Sequence, residues 1–259
     1  MSLIDRLSFR QCTMTDQLAG CLVPTGELTG NQRDEMFRLM DRHYVNVLRE
    51  IFDKDLDEKD QVILMTDPVS QQILGFSTQL LVDLVIDSRP VRVLFSGDTI
   101  VDPRYWTRNP LATIWGRWVL ELIDDAAVPL YWFLISKGYK TYRFLPLFFN
   151  EFFPVFDRAT PSWASHLIQE FGDWKYPNQF DPELGLLRAR PESCRLRPGV
   201  ADLHPSRLHD DHVRFFAQAN PDHARGDELC CVAALTRENF TNAAYRVIAR
   251  PLEPRILFH

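Results

Sequence analysis

The chain has 259 residues, of which 46% are apolar and 25% are charged, and its formal net charge is −6 at pH 7. A chain of this length buries a sizeable core, so the sequence predicts a folded globular protein with one elaborated domain, or with one domain and a smaller subdomain. The acidic charge balance argues against a nucleic-acid-binding protein, because such a protein needs a basic surface that faces the phosphates.

Cysteine usage and apolar segments predict the compartment of the protein. The five cysteines form no CxxC pair, which favours reduced thiols in a cytoplasmic protein and argues against structural zinc. Asp5 and Arg6 interrupt the first apolar residues, so no signal peptide is expected. The most apolar stretch, residues 128–156, contains Lys137 and Lys140 among other polar residues. It is therefore not expected to form a transmembrane helix.

The first half of the chain predicts one helix followed by an antiparallel meander. Thr29 and Gln32 have the spacing of a capping box, and apolar residues at helical spacing predict a helix over residues 31–52. Strand-like stretches follow with short connections rich in turn residues, and such connections imply antiparallel neighbours. These stretches are residues 61–66, 73–86 and 91–101.

The period of the apolar pattern changes after Asn109 and Pro110, a pair that suits the start of a helix. A buried strand is predicted over residues 129–135 and an aromatic helix over residues 141–153. The strand that ends near Val101, the helix and the next strand form a strand-helix-strand unit, which requires a right-handed crossover if the two strands are parallel. Crevices at the carboxyl ends of parallel strands are frequent ligand sites.

The remainder of the chain carries weaker patterns. Residues 184–187 predict a strand, residues 188–205 a loop, and residues 205–249 an interrupted helical region. We therefore divide the chain into a core of residues 1–158 and an extension of residues 159–259 that completes the sheet and adds helices.

Two residue pairs near the C-terminus suggest chemistry but have simpler interpretations. His209 and His212 can share a helix face, which would allow metal binding, but the acidic residues between them favour a solvated helix start. No metal is therefore expected. Cys230 and Cys231 point to different faces of a predicted helix and are interpreted as apolar packing residues rather than a redox site.

The segment of residues 95–111 is the most informative part of the sequence. A core strand leads into a loop with Arg104 and Arg108, and the loop opens the helix that begins near Asn109. Free N–H groups and the dipole at a helix start bind anions, and two arginines add positive charge for a phosphate or pyrophosphate. The loop contains no glycine, so an alternative interpretation is that both arginines are surface residues without a ligand.

The order of these elements resembles the GNAT superfamily of acyl-CoA-dependent N-acyltransferases over roughly residues 28–156. The resemblance rests on that order, on Gly75 and Phe76 at the opening of the third strand, and on Val101-Asp102-Pro103-Arg104-Tyr105 at the close of the fourth. It implies an α/β (α+β) fold with a mixed sheet, in which an antiparallel meander and one parallel crossover step are flanked by helices. Beyond the residues that the resemblance covers, the sequence pattern predicts a mainly helical C-terminal extension. The resemblance also implies a V-shaped gap between the strand ending at Val101 and strand 130–135, which holds the pantetheine arm of a thioester.

The same resemblance implies the residues that hold acetyl-CoA or another acyl-CoA as co-substrate. These are Val101, Arg104, Arg108, Asn109, Leu111 and Ala112. The family's loop usually contains glycine, whereas residues 105–112 contain none, and only Arg108 and Ala112 match the ends of its pattern. Three alternatives follow: a modified loop that still binds CoA, an acyl group supplied by a carrier protein, or loss of thioester binding.

Amine acylation needs a base near the amine and an acid near the departing thiolate. Asp98 lies in the strand beside the predicted gap and is the candidate base if burial raises its pKa. Alternatively, Ser96-Gly97-Asp98 forms a β-bulge without a chemical role. Tyr139 and Tyr142 follow the next strand, in the region where the resemblance implies an acid, and packing is the alternative role for both.

The sequence therefore predicts an acyltransferase that moves an acyl group from acyl-CoA, or from a carrier-protein thioester, to an amine of a small molecule. Its predicted partners are that amine acceptor and an acyl carrier protein, with no nucleic acid and no membrane span. The missing glycines favour the alternative, a non-catalytic protein on the same scaffold that binds a ligand or a partner.

Overall fold

The computed structural model describes residues 12–14, 18–199, 202–250 and 253–254. Its strands are β1 (Cys12–Met14), β2 (Ala19–Pro24), β3 (Tyr44–Val45), β4 (Gln61–Thr66), β5 (Ile73–Ile86), β6 (Arg89–Val101), β7 (Leu130–Ser136), β8 (Phe180–Asp181), β9 (Leu186–Leu187), β10 (Arg195–Leu196), β11 (Glu228–Ala234) and β12 (Glu253–Pro254). Its α-helices are α1 (Gly30–His43), α2 (Arg49–Asp57), α3 (Leu111–Asp124), α4 (Tyr139–Tyr142), α5 (Phe144–Phe148), α6 (Ser162–Lys175), α7 (Asp211–Ala219) and α8 (Asn242–Ile248).

One large sheet organises the described part of the chain, with the strand order β12-β1-β2-β4-β5-β6-β7-β11-β9-β8. Neighbouring strands are antiparallel, except that β6 and β7 are parallel. Helix α3 connects these two strands, as predicted for the strand-helix-strand unit. The predicted fold class, a mixed α/β sheet with an antiparallel meander and one parallel crossover step, is confirmed.

Helices cover both faces of the sheet. In β4, Val62 and Leu64 are buried in a cluster with side chains of α1 and α2, whereas Ile63 and Met65 belong to the larger core that includes α3, α5 and α8. Successive side chains of a strand point to opposite faces. The alternation in β4 therefore places α1 and α2 on one face and α3 on the other.

The long hairpin of β5 and β6 turns on Asp87 and Ser88. Both residues have positive φ angles, of 49° and 62°, and Ile86 pairs directly with Arg89. Positive φ at both central residues is typical of a two-residue hairpin turn, whose twist matches that of the strands. Strand β6 therefore begins two residues before the predicted position 91.

The predicted helix over residues 31–52 is interrupted. The capping box at Thr29 is present, but α1 is followed by β3, which pairs with β10 from the C-terminal half of the chain. Asn46 then adopts a φ of 60° before α2 begins. The prediction of one continuous helix is wrong, because this distant strand pairing leaves no mark on the local apolar spacing.

The predicted aromatic helix over residues 141–153 is also interrupted. Only α4 and α5 are helical, and beyond them Phe149 forms a β-bridge with Phe240 and Phe153 forms one with Val232. Hydrogen bonds to the C-terminal half replace helical ones, since Phe153 N donates to the carbonyl of Val232 at 2.8 Å. Here, tertiary pairing overrides the helical pattern.

The C-terminal half differs from the predicted helical region. Strand β11 lies between α7 and α8 and extends the sheet beyond β7. Cys230 and Cys231 are fully buried in β11 and point to opposite faces of the sheet, so the prediction that they lie in a helix is wrong. The predicted strand near residues 184–187 is present as β9. The division at residue 158 stays a prediction, and the larger core contains residues from both sides of it.

One cysteine departs from the expectation of reduced thiols. Cys21 is disulfide-bonded, and Cys12 is its register partner across the antiparallel pair of β1 and β2. The sequence did not predict this pair of strands, so nothing indicated that these cysteines lie opposite each other. Cys194, Cys230 and Cys231 are free thiols.

None of the helices in the described ranges is long and apolar enough to cross a bilayer. Across the same part of the chain, no three side chains of His, Cys, Asp or Glu are grouped so that they could hold a metal ion.

Candidate active site

The parallel strands β6 and β7 separate at a defined point. They pair from Arg92 with Leu130 to Ser96 with Leu134. Beyond this last pair, β6 continues to Val101, while β7 continues only to Ser136 and then leads into α4. An opening therefore forms between the carboxyl ends of the two strands, where the family resemblance implies a V-shaped gap.

A β-bulge in β6 lies beside this opening. The register shifts between residues 77 and 79 of β5, so that Gly97 and Asp98 together oppose Thr78. A bulge redirects side chains locally. The bulge that the sequence offered as an alternative to a chemical role is therefore present, and it places Asp98 in the wall of a cavity.

Two cavities meet at the opening. The larger, about 550 Å³, lies between the region of α1 and α2 and residues 187–194. The smaller, about 70 Å³, is lined by side chains of α3 and α5. Phe95 contributes to the larger cavity and Ser96 to the smaller, as expected for spaces on opposite faces of a sheet. The residues that belong to both walls are Thr99, Leu134 and Thr141.

The carboxyl group of Asp98 faces the larger cavity. No hydrogen bond or ion pair holds this carboxyl among the described residues. Burial and, to a smaller extent, the negative charge of Asp55 raise its pKa to about 6, against the opposing positive charges of Lys137 and Lys59. A carboxyl with this pKa is mostly ionised at neutral pH and can still accept a proton from a neighbouring ammonium group.

Lys137 ties three parts of the cavity wall together. Its Nζ lies 3.2 Å from Glu228 Oε1 and donates a hydrogen bond of 3.0 Å to the carbonyl of Cys194. Burial lowers the pKa of Lys137, but neighbouring groups led by Glu228 more than offset this, so that its pKa is above the usual value. Lys137 therefore stays cationic and fixes the segment around Cys194 next to β7 and β11.

Tyr44 and Cys194 add protonated groups to the same wall. Burial raises the pKa of Tyr44 well above its usual value, and burial raises the pKa of the Cys194 thiol to about 11. The Tyr44 ring faces Lys137, with Nζ 5.7 Å from the ring centroid. Both side chains are thus uncharged at neutral pH, and the cavity contains hydroxyl and thiol groups next to the Asp98 carboxylate.

A second charged group borders the cavity near α2. Asp55 Oδ2 lies 2.6 Å from Nζ of Lys59, whose side chain is fully buried, and Lys175 lies 4.0 Å from the other oxygen of Asp55. Asp55 is therefore matched by cations of the protein, whereas no cation among the described residues forms an ion pair with Asp98. This difference leaves the Asp98 carboxylate available to a cationic ligand.

The smaller cavity is largely apolar. Its apolar wall consists of Leu111, Ala112, Trp115, Trp132, Leu134, Phe144 and Phe148. The rings of Trp115 and Trp132 contact each other with centroids 4.7 Å apart and belong to this wall. Leu111 and Ala112, two of the predicted cofactor-binding residues, thus lie at the gap where the first turn of α3 begins.

The loop before α3 presents its two arginines differently. Arg104 is held by Asp102, to which its Nε and Nη2 each donate a hydrogen bond of 3.0 Å. Arg108 is exposed. Trp106 closes the loop by donating from Nε1 to the carbonyl of Val101 at 2.8 Å, and Lys140 stacks on the Trp106 ring with Nζ 3.6 Å from its centroid.

Asn109 holds the loop just before α3, which begins at Leu111. Asn109 Oδ1 accepts a hydrogen bond from Leu111 N at 3.2 Å, and its Nδ2 donates to the carbonyl of Tyr105 at 2.9 Å. Pro110 occupies the N-cap position rather than the predicted first helical position. The side chain of Asn109 is therefore used to hold the loop.

The two predicted tyrosines lie in the core. Tyr142 is fully buried and donates a hydrogen bond of 2.9 Å to the carbonyl of Pro154. Burial raises its pKa far above the usual value. Tyr139 is also buried. Neither tyrosine is among the residues that line the two cavities, so an acid role for either stays a prediction.

Sequence reasoning missed most of the larger cavity. Lys137, Glu228, Tyr44 and Cys194 come from four distant segments, and no local spacing connects them. The sequence does show Lys137 directly after an apolar strand, which is an unusual place for a lysine without a partner. That signal could have indicated a buried ion pair, though not the identity of its partner.

No family model matches the sequence, and no curated protein matches it. Solved structures do resemble about half of the chain. A probable N-acyltransferase from Enterococcus faecalis is 16% identical over 51% of this chain and 33% of its own, with a TM-score of 0.39. N-myristoyltransferase from Saccharomyces cerevisiae with bound myristoyl-CoA is 12% identical over 53% of this chain and 35% of its own, with a TM-score of 0.38.

A GNAT family N-acetyltransferase from Escherichia coli in complex with CoA is 11% identical over 48% of this chain and 66% of its own, with a TM-score of 0.35. This chain thus spans about a third of the length of the first two structures and just under two thirds of the third. These similarities concern part of the fold only.

Proposed function

We propose that the protein transfers an acyl group from a thioester to an amine at the opening between β6 and β7. The observation that carries this proposal is the carboxyl of Asp98, which faces a cavity of about 550 Å³ without a partner among the described residues. Removing an unpaired carboxylate from water is costly. An ammonium group in the cavity would supply the missing partner and deliver the nucleophile to the opening.

The reaction follows from this placement. An ammonium group gives one proton to Asp98, and the resulting amine nitrogen attacks the carbonyl carbon of the thioester through the opening. A C–N bond forms, the C–S bond breaks, and the sulfur takes its electron pair. The nitrogen releases its second proton as the sulfur gains one. The products are an amide, a thiol and a proton on Asp98, which passes to solvent.

The smaller cavity suits the acyl group. At about 70 Å³ it is much smaller than the neighbouring cavity of about 550 Å³. Its apolar wall, with Trp115 and Trp132, favours a short acyl chain. Acetyl-CoA is therefore the donor we propose to test first, with Leu111 and Ala112 beside its acyl group and Arg108 next to its phosphates.

The test begins with binding. A ligand that binds only the native state raises the melting temperature, so acetyl-CoA should give a saturable shift, larger than that of a long-chain acyl-CoA. A panel of small amines is then supplied with acetyl-CoA, and release of the CoA thiol is followed. The proposal predicts thiol release that depends on the amine and is lost in Asp98→Asn. If the wild-type protein binds no thioester, the proposed function is wrong.

A non-catalytic binding protein is the second candidate. Two observations favour it. Asp102 accepts hydrogen bonds from Arg104, so this guanidinium is already used within the protein and is not available to a pyrophosphate. The loop also lacks glycine. In that case, an amine from the panel would bind at Asp98 and raise the melting temperature, but no thiol would be released from any thioester. Amine-dependent thiol release excludes this second candidate.

A further inference from the structure

A buried chain of hydrogen bonds runs beneath the smaller cavity and ends at the opening. Trp132 Nε1 donates to Ser96 Oγ at 2.8 Å, and Ser96 Oγ donates to Gln79 Oε1 at 2.7 Å. Gln79 Nε2 donates to Ser77 Oγ at 2.8 Å, and Ser77 Oγ lies 2.7 Å from Thr99 Oγ1. The first four side chains are buried, whereas Thr99 is half-buried.

The chemistry of these groups fixes the direction of the first three bonds. The indole N–H of Trp132 can only donate, so Ser96 accepts and turns its own hydrogen to the amide oxygen of Gln79, and the amide nitrogen of Gln79 donates to Ser77. Either oxygen could donate in the last bond, but Ser77 is buried and Thr99 is half-buried, so donation by Ser77 avoids leaving a buried hydroxyl hydrogen without an acceptor. In that arrangement Thr99 accepts, and its own hydroxyl hydrogen has no acceptor among the described residues.

Thr99 stands where this free hydrogen can be used. It belongs to the walls of both cavities and follows Asp98 directly in the bulge of β6. A thioester that reaches the opening would thus meet a carboxylate on the side of the larger cavity and a hydroxyl donor between the two cavities. Tyr142, by contrast, already donates to the carbonyl of Pro154.

We propose that Thr99 is a catalytic hydrogen-bond donor to the sulfur that leaves during acyl transfer, an inference that rests on the proposed function. As the C–S bond breaks and the sulfur takes the electron pair, the O–H of Thr99 stabilises the thiolate and keeps its own proton. The thiolate is then protonated by the proton that the amine nitrogen releases. Ser77 and Gln79 are positioning residues, because they orient the Thr99 hydroxyl without reaching the substrate.

The experiment measures the acidity of the thiol in bound CoA, which mimics the leaving group and requires no acceptor. The ultraviolet absorbance of the thiolate is titrated against pH for the wild-type protein and for Thr99→Val, Thr99→Ser and Ser77→Ala. A charge-assisted hydrogen bond stabilises the thiolate. The acid dissociation constant of the bound thiol should therefore be about tenfold larger in the wild type than in Thr99→Val, a difference of one pKa unit.

The other variants separate a direct role from a structural one. Thr99→Ser keeps the hydroxyl and should keep the acidity of the bound thiol, whereas Ser77→Ala keeps Thr99 but removes its orienting donor and should give an intermediate value. Melting temperatures of all variants show whether each is folded. Equal thiol acidity in folded Thr99→Val and wild type would overturn the role of Thr99 alone. Absence of CoA binding to the wild type would overturn the proposed function together with this inference.

Discussion

Asp102 accepts hydrogen bonds of 3.0 Å from both Nε and Nη2 of Arg104, so the charge of this arginine is matched within the protein. The Arg104 guanidinium in turn holds the pKa of Asp102 below its usual range. Arg108, in the loop that leads into α3, is exposed. The two arginines that the sequence groups together are thus in different electrostatic states.

This difference predicts unequal effects on CoA binding. Arg108→Ala should lower the affinity for CoA about five- to tenfold, because its guanidinium has no ion-pair partner in the described part of the chain and can form charge-assisted bonds to phosphate. Arg104→Ala should change the affinity by less than about twofold, since its charge is already used by Asp102. Titration of the melting temperature with CoA measures both, and equal losses in the two variants would contradict this assignment.

The pKa of Asp98 predicts how activity depends on pH. The base must be ionised to accept a proton, so the rate at low substrate concentration should rise as the pH increases through about 6. Asp98→Asn should lower the rate about 10²- to 10⁴-fold and remove this dependence. The measurement is a pH profile of amine-dependent thiol release. A rise that persists in the variant would mean that another group acts as base.

The same carboxyl predicts a pH dependence of stability. Its pKa in the folded protein, about 6, is above the usual 3.8, so the folded state holds the proton more tightly than the unfolded state. Stability should therefore fall as the pH rises from about 4 to 6 and stay lower above that range. Asp98→Asn should raise the free energy of unfolding at pH 8 by about 1–3 kcal/mol and change it little at pH 3.5. Denaturant unfolding at both pH values provides the comparison.

Gly97 predicts a steric effect at the bulge. A Cβ atom at this position would lie 2.6 Å from Thr78 Oγ1 and 2.9 Å from Lys59 Cε, so Gly97→Ala should lower the free energy of unfolding by about 1–3 kcal/mol. Gly26→Ala is a matched control, because a Cβ there meets nothing within 4 Å. Adding Thr78→Ala to Gly97→Ala should restore part of the loss. If the double variant is no more stable than Gly97→Ala, the strain does not come from the contact with Thr78.

The strands of the first half could be predicted from the sequence because their information is local. The alternating or continuous apolar runs at Gln61–Thr66 and Ile73–Ile86 are bounded by turn residues, and both strands have the predicted limits. The break after α1 could not be predicted in this way. It depends on pairing between β3 and β10, whose residues are separated by most of the chain.

The residues of the candidate site also differ in whether local sequence information could predict them. Asp98 could be predicted, since a carboxylate beside a glycine in a core strand is visible in the sequence. Lys137 and Glu228 could not, because their ion pair of 3.2 Å depends on β11 lying next to β7. The family resemblance implied Tyr139 or Tyr142 as the acid, which stays a prediction. Thr99, whose hydroxyl lies at the opening, has no sequence signal of its own.

The shared wall of the two cavities has a consequence for the order of events. Only Thr99, Leu134 and Thr141 belong to both walls among the described residues, so two ligands that enter from opposite faces of the sheet would touch only there. Neither ligand would block the path of the other, and neither would have to depart before the second arrives. Binding in either order would then give the same ternary complex. The acyl group would pass directly from the thioester to the amine, without a covalent acyl-enzyme intermediate.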